Sequence, residues 1–266
     1  MPLDLQSEFV LSTDEIHRFR RDGFILIKHL LTPEEMHIFR QAVLQQVDAQ
    51  VRSARPTAER DVYGKAFVQI MHLWEKNPQI SQLSLSRRIG GLIAQLFGVP
   101  RVRIYHDQVL FKEPAGGYTP WHQDSYFIPL DTDWIVTMWM PMVPITQDMG
   151  TLNFVPGSHT KGMLLEEATS DQTESFFDDY ITREKLQTVQ IEDMQPGDAT
   201  FHLGWTIHGA PKNSTDRMRE VFNVVYFADG ARVIPRTVWQ AATRSHMKNL
   251  QPGEVVDTDI NVLVFP

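Results

Sequence analysis

Residues 102–112 read VRIYHDQVLFK, residues 134–142 read WIVTMWMPM and residues 219–229 read REVFNVVYFAD. Each run is rich in β-branched and aromatic residues, as strands require. Turn signals punctuate this half of the chain: PAGG at 114–117, QDMG at 147–150, PGSH at 156–159 and QPGD at 195–198. Between them fall TLNFV at 151–155, LQTVQIED at 186–193 and ATFHLGW at 199–205. Many short strands broken by Pro, Gly and Asp indicate a sandwich or barrel. The alternation of strand and helix that builds a parallel sheet is missing.

Upstream of Arg101 the character is helical. Ser12 and Glu15 have the spacing of a capping box, and the helix they open ends at Gly23. Phe24–Ile27 is a short apolar strand. Thr32-Pro33-Glu34-Glu35 combines a cap, a proline at the first helical position and acids in the first turn, which predicts a helix to about Val51. Residues 52–65 are polar and irregular, and a further helix is predicted over Ser84–Phe97, stopped by Gly98 and Pro100. The fold class is mainly β with N-terminal helices: a helical cover over 1–100 on a jelly-roll core over 101–266. No linker or repeat divides the chain, so 1–266 is expected to form a single domain.

The 266 residues carry a formal net charge of −8, so there is no fold-wide basic field to attract nucleic acid. There are no cysteines, which excludes disulfides, thiolate metal sites and cysteine catalysis. Any metal must rest on histidines and carboxylates. The opening MPLDLQSEFVLSTDE has neither the basic segment nor the apolar run of a signal peptide, and no apolar stretch approaches a membrane span. The expectation is a cytoplasmic protein with a small-molecule substrate, no nucleic acid and no membrane partner. Its oligomeric state is not legible.

His122-Gln123-Asp124 places an imidazole and a carboxylate two residues apart, on one face of an extended segment. Alone, the triplet is weak in a chain with ten histidines. His208, on the strand after the 195–198 turn, completes a set of two histidines and one carboxylate, the facial triad of non-haem Fe(II) oxygenases. Arg219 heads an alternating strand, where a buried guanidinium calls for a carboxylate partner. A zinc hydrolase would use the same ligands but leaves Arg219 unexplained, and a non-catalytic metal- or ligand-binding jelly roll is the other alternative. Zn(II) should support the hydrolase and inhibit the oxygenase.

Trp121–Asp124, Asp148-Met149-Gly150-Thr151-Leu152, Val155–His159, His208-Gly209 and Arg219, with the opening DGFILIKHLLTPEE at 22–35, resemble the phytanoyl-CoA dioxygenase family over most of the chain. The resemblance implies a double-stranded β-helix, with Fe(II) on His122, Asp124 and His208, 2-oxoglutarate as co-substrate and O2 as oxidant. It makes Arg219 the residue gripping the far carboxylate of 2-oxoglutarate and places Gln108 and Trp139 on the co-substrate pocket. Ala210 departs from those members that carry Ser two residues after the distal His, so a helper hydrogen bond is expected to be absent. Related halogenases lack the carboxylate that Asp124 provides, which favours hydroxylation of an aliphatic C–H of a small, largely apolar metabolite or natural-product intermediate. Desaturation, epimerisation and cyclisation use the same ligand set and stay open, as does involvement of a coenzyme A thioester.

Among the other histidines, His159 reads as structural, His202 as a strand residue or a support for a ligand, and His17, His29, His37 and His246 as surface residues. His72 and His106 are ambiguous. Phe67, Met71, Trp74, Tyr105, Phe111, Trp121, Tyr126, Phe127 and Trp205 are the aromatic and thioether candidates for a substrate pocket, with Trp74 and Trp205 foremost.

Overall fold

A computed structural model of the chain describes residues 5–52, 59, 64 and 66–266. The irregular stretch expected at 52–65 falls, beyond Arg52, mostly outside the described residues.

The opening follows local chemistry. Helix α1 (Thr13–Asp22) begins at Ser12, whose hydroxyl accepts from the Glu15 amide while the Glu15 carboxylate accepts from the Ser12 amide. Gly23, at φ 83°, ends it and turns the chain into β1 (Phe24–Ile27). A side chain there would also collide with His159, whose Nδ1 would lie 2.4 Å from the added carbon. Thr32 and Glu35 repeat the reciprocal cap at the head of α2 (Pro33–Arg52). After β2 (Val68–Met71), the helix expected over 84–97 is found over 87–97, and a short helix that was not expected precedes it. Helix α3 (Pro78–Ser84) starts on the Asn77 cap, and Ser86 caps a separate α4 (Arg87–Phe97). Ser86 was the overlooked signal, since its hydroxyl accepts from the Ile89 amide and resets the helix start.

The core is a jelly roll of two sheets. The larger runs β1–β8 (Ala199–Leu203)–β5 (Ile135–Pro141)–β10 (Arg219–Ala228)–β3 (Val102–Lys112)–β11 (Leu263–Phe265), with β2 also on β3. The smaller runs β4 (Thr119–His122)–β9 (His208–Ala210)–β6 (Asn153–Phe154)–β7 (Val189–Gln190). The C-terminal half also holds two helices not anticipated from its β-rich sequence, α5 (Asp171–Arg183) and α6 (Trp239–His246). Helix α5 opens on a Ser170–Thr173 capping box, and its Phe177 packs with Val155 and Ile207 against the small sheet.

Strand alternation sorts the large sheet into two faces. Val109 and Phe111 of β3, Val136, Met138 and Met140 of β5, Phe201 of β8 and Phe222, Val224 and Tyr226 of β10 join the helices in one core. Phe39 of α2 meets Phe222 edge-to-face with ring centroids 4.8 Å apart. Each such side chain contributes about 1.5–3 kcal/mol through burial. The opposite face presents Gln108, Thr137, Trp139, His202, Arg219 and Asn223, and there the cavities lie.

Candidate active site

His122 ends β4 and pairs directly with His208 at the start of β9. Asp124 is not on that strand: it opens a 3-10 turn, Asp124–Phe127, so the turn rather than strand parity swings its carboxylate back between the two rings. His122 Nδ1 faces the Pro120 carbonyl at 2.8 Å, and His208 Nδ1 faces the Thr206 carbonyl at 2.9 Å. Carbonyls only accept, so both rings carry their proton on Nδ1 and turn the Nε2 lone pair inward. The two Nε2 atoms stand 3.4 and 3.6 Å from Asp124 Oδ1. These donors lie within 4.8 Å of one another, a spacing that could hold a metal ion.

The outer oxygen of Asp124 is held separately. Thr137 donates its hydroxyl to Oδ2 at 2.6 Å, and His202 Nε2 stands 3.2 Å from the same atom. His202 is thus a support of the carboxylate, one of its two readings from sequence; nothing in the sequence marked Thr137. Burial pushes the Asp124 carboxyl up, but His208, His122 and His202 together take it well below its ordinary value. Burial and the neighbouring His122 and His202 hold His208 well below the ordinary imidazole value, in its neutral, ligand-ready form.

Beside this cluster lies a small cavity of about 60 Å³, bordered by Phe67, Gln108, Thr119, Trp139, Ala210, Arg219 and Asn223 as well as the three metal-spaced residues. Gln108 and Trp139, expected on the co-substrate pocket, both border this cavity. Arg219 is 1% exposed. One of its nitrogens donates to the Gly150 carbonyl at 2.5 Å, its Nε has no partner, and the guanidinium lies 5.3 Å from the Trp139 ring centroid. Among the described residues no carboxylate pairs with it. Burial without an anion pushes it down to about 9. Gly150 makes this grip possible: it sits at φ 92°, and an added side chain would come 2.5 Å from the Pro211 carbonyl oxygen.

A second buried cation adjoins the first. Lys112 is fully buried, and its Nζ donates to the carbonyls of Gly117 and Pro211 and to Thr119 Oγ1. Burial, then the neighbouring Arg219, hold it well below its ordinary value. A desolvated guanidinium with no paired carboxylate suits the Arg219 end of this pocket to an anion. Thr119 lies opposite Ala210 in the β4–β9 register, so a hydroxyl missing from position 210 is present on the partner strand. Lys112 and Thr119 were missed in the sequence; the available signal for the first was a lysine directly after the apolar run Val109-Leu110-Phe111.

On the other side of His122 and Asp124 opens a larger chamber of about 430 Å³, bordered by Gln69, Met71, Tyr105, His106, Gln108, Phe127, Ile128, Thr169, Val225 and His246. Met71, Tyr105 and Phe127 are where the sequence suggested. Trp74 and Trp205 are not: Trp74 packs against the helical core, and Trp205 donates to Asp133 and lies beneath Arg236. Trp121 packs beside α5, Phe111 is in the outer core and Phe67 borders the small cavity instead. His246, read as a surface residue, borders the chamber, because α6 folds back over β3. His159 is structural, with Nε2 facing the Arg20 carbonyl at 3.1 Å.

The comparisons agree with this geometry. The phytanoyl-CoA dioxygenase family model matches residues 19–221. A probable phytanoyl-CoA dioxygenase of Caenorhabditis elegans is 25% identical over 242 residues, covering 83% of this chain and 76% of the relative. A probable alpha-ketoglutarate-dependent hypophosphite dioxygenase of Stutzerimonas stutzeri is 30% identical over 147 residues, covering 53% of this chain and 50% of that protein. Among solved structures, the non-haem alpha-ketoglutarate-dependent carbocyclase of nogalamycin biosynthesis superposes with a TM-score of 0.77 at 24% identity, covering 99% of both chains. EctD from S. alaskensis, solved with 2-oxoglutarate and 5-hydroxyectoine, gives 0.71 at 19% identity, over 98% of this chain and 92% of that one. These likenesses establish the double-stranded β-helix fold. No helix among the described residues is long and apolar enough to cross a membrane. The chain belongs to the phytanoyl-CoA dioxygenase family, the non-haem iron dioxygenases that work with 2-oxoglutarate and O2.

Proposed function

We propose that His122, Asp124 and His208 hold the iron, that Arg219 grips the far carboxylate of 2-oxoglutarate, and that the enzyme hydroxylates an aliphatic C–H of a small metabolite bound in the large chamber. The observation that carries this reading is the pairing of two features: a two-histidine, one-carboxylate cluster with its lone pairs convergent, and an uncompensated buried guanidinium beside it. Iron with 2-oxoglutarate and O2 would supply an oxidant strong enough to take hydrogen from an unactivated carbon, one oxygen atom of O2 going to the substrate and the other to the succinate formed as 2-oxoglutarate loses CO2.

The protein's share is orientation and exclusion of water. The carbonyls of Pro120 and Thr206 fix the ligand tautomers. Thr137 and His202 occupy one oxygen of Asp124 and leave the other for the metal. Thr119, which accepts from Lys112, borders the small pocket with Arg219, and Trp139 covers the guanidinium. Gln108 borders both cavities and so lies between co-substrate and substrate. The carbocyclase and an epimerase of nogalamycin biosynthesis share this fold, so cyclisation and epimerisation stand as the second reading of the outcome.

The test is anaerobic. Fe(II) and then 2-oxoglutarate are added to the protein, and the weak visible charge-transfer band of a bidentate chelate is sought. It should appear in the wild type and be lost in His208→Ala. If iron is shown to bind and the band is still absent, the oxygenase assignment of these residues fails.

A further inference from the structure

A hydrogen-bond chain that iron chemistry does not require ends at His246, on the border of the large chamber. Glu75 Oε1 lies 3.0 Å from His72 Nδ1, and His72 Nε2 lies 3.1 Å from His246 Nδ1. The rings of His72 and His246 stack at 5.0 Å between centroids, and His246 stacks on His106 at 4.7 Å. An ionised carboxylate only accepts, so His72 carries its proton on Nδ1, and its Nε2 must accept from His246 Nδ1–H. That leaves Nε2 of His246 as a free lone pair on a ring that borders the chamber.

The arrangement is held in place at a cost. His72 has φ 59°, a left-handed conformation that a side chain rarely adopts. The backbone there is tied to β3: the His72 amide donates to the Asp107 carbonyl, and the buried Asp107 carboxylate accepts from the amides of Leu73 and Trp74 and from Ser84. Around the same chamber, polar atoms are buried without partners: both ring nitrogens of His106, the Tyr105 hydroxyl and the Thr169 hydroxyl. His106 is 7% exposed and Tyr105 1%. Buried polar atoms cost free energy until something meets them. Among the described residues no arginine or lysine borders the chamber, whereas Met71, Phe127, Ile128 and Val225 give it an apolar wall.

We propose that the Glu75–His72–His246 chain fixes His246 as a hydrogen-bond acceptor for an O–H of the substrate, which is therefore an uncharged alcohol or phenol with an apolar body. The inference rests on reading the chamber as the substrate site, and it makes His246 a specificity-determining residue. A carboxylate or phosphate would bring only acceptors to this lone pair and would find no fixed cationic side chain among the described residues. His106 and Tyr105 then meet further hydroxyl or carbonyl groups of the same molecule.

The test uses 2-naphthol, its methyl ether 2-methoxynaphthalene and the anion 2-naphthoate as probes, titrated into the Zn(II)- and 2-oxoglutarate-loaded protein. The wild type should bind the naphthol roughly tenfold more tightly than the ether, the effect of one well-placed hydrogen bond in a dry site. The naphthoate should bind no more tightly than the ether. In His246→Phe the preference should fall to about one; a preference that survives would reflect only the bulk of the ether and would overturn the proposal. Equal binding of naphthol and ether by the wild type, or tightest binding of the naphthoate, would overturn it as well. Long-range proton–nitrogen spectra of histidine-labelled protein give a check that needs no destabilising variant. His246 should be a single Nδ1–H tautomer, relaxing to a mixture in Glu75→Leu, and an Nε2–H tautomer in the wild type would sink the idea. Probe binding does not require iron, so its failure is distinct from absence of the charge-transfer band.

Discussion

Two cavities meet at Asp124, and they are built on different principles. The small one is electrostatic: Arg219, Thr119 and Trp139 all stand on strands of the two sheets, and the guanidinium is in place before any ligand arrives. The large one is bordered by strands, by the turn that carries Phe127 and by the helix that carries His246, and away from Asp124 its polar side chains are imidazoles, amides and hydroxyls. The first suits one invariant anion. The second suits a molecule recognised by where its hydroxyls lie. A fold that hosts many reactions keeps the former on its sheets and varies the latter at the elements laid across them.

The largest expected effect tests whether the small cavity is organised around charge. Arg219→Met should weaken 2-oxoglutarate by about 100-fold or more, because removing one partner of a buried ion pair costs about 2–5 kcal/mol. Iron affinity and naphthol binding in the large chamber should hardly move. The same substitution should leave the thermal midpoint of the 2-oxoglutarate-free protein unchanged or higher, since it removes a buried charge without a counter-ion. Calorimetric titration and a melting curve with and without 2-oxoglutarate read both effects. Intact 2-oxoglutarate affinity would remove Arg219 from its assigned role.

Between the cavities, Thr137→Val tests the support of the shared ligand. The valine is close in size and lacks only the hydroxyl that meets Asp124 Oδ2. Iron affinity should fall by about tenfold, the lower end of the range for groups that hold metal ligands. 2-Oxoglutarate affinity, measured with iron saturating, should change little. If iron binds as tightly as before, His202 alone is sufficient to position the carboxylate.

The contrast between the cavities is also a contrast in legibility. The metal-spaced residues and Arg219 could be read because each pairs a distinctive residue type with a turn or a strand head: His122 and Asp124 by their spacing, His208 after the QPGD turn, Arg219 opening an alternating strand. Alternation likewise gave the strands of the large sheet, and the two reciprocal caps gave α1 and α2. The chamber is made by elements far apart in sequence. His72 and His246 are 174 residues apart, and only the docking of α6 brings them together. No local pattern encodes such a contact, so His246 looked like a surface residue, while Trp74 packs against the helical core and Trp205 borders a different cavity. The start of the helix expected over 84–97 is a smaller case, since the Ser86 hydroxyl caps it and sets its first residue at Arg87.

The smallest predicted effect falls on the one polar side chain common to both cavities outside the ligand set. Gln108 donates to Asn223 Oδ1 at 3.3 Å and accepts from Gln69, so it spans three neighbouring strands across the floor of the site. Gln108→Leu keeps the volume and removes both hydrogen bonds, each contributing about 1 kcal/mol. If the cavities are independent, 2-oxoglutarate and naphthol should each weaken by roughly fivefold or less. The loss for one should then be the same whether or not the other is bound. A loss that depends on occupancy would mean that Gln108 couples co-substrate binding to the geometry of the substrate chamber, and the two sites would have to be treated as one.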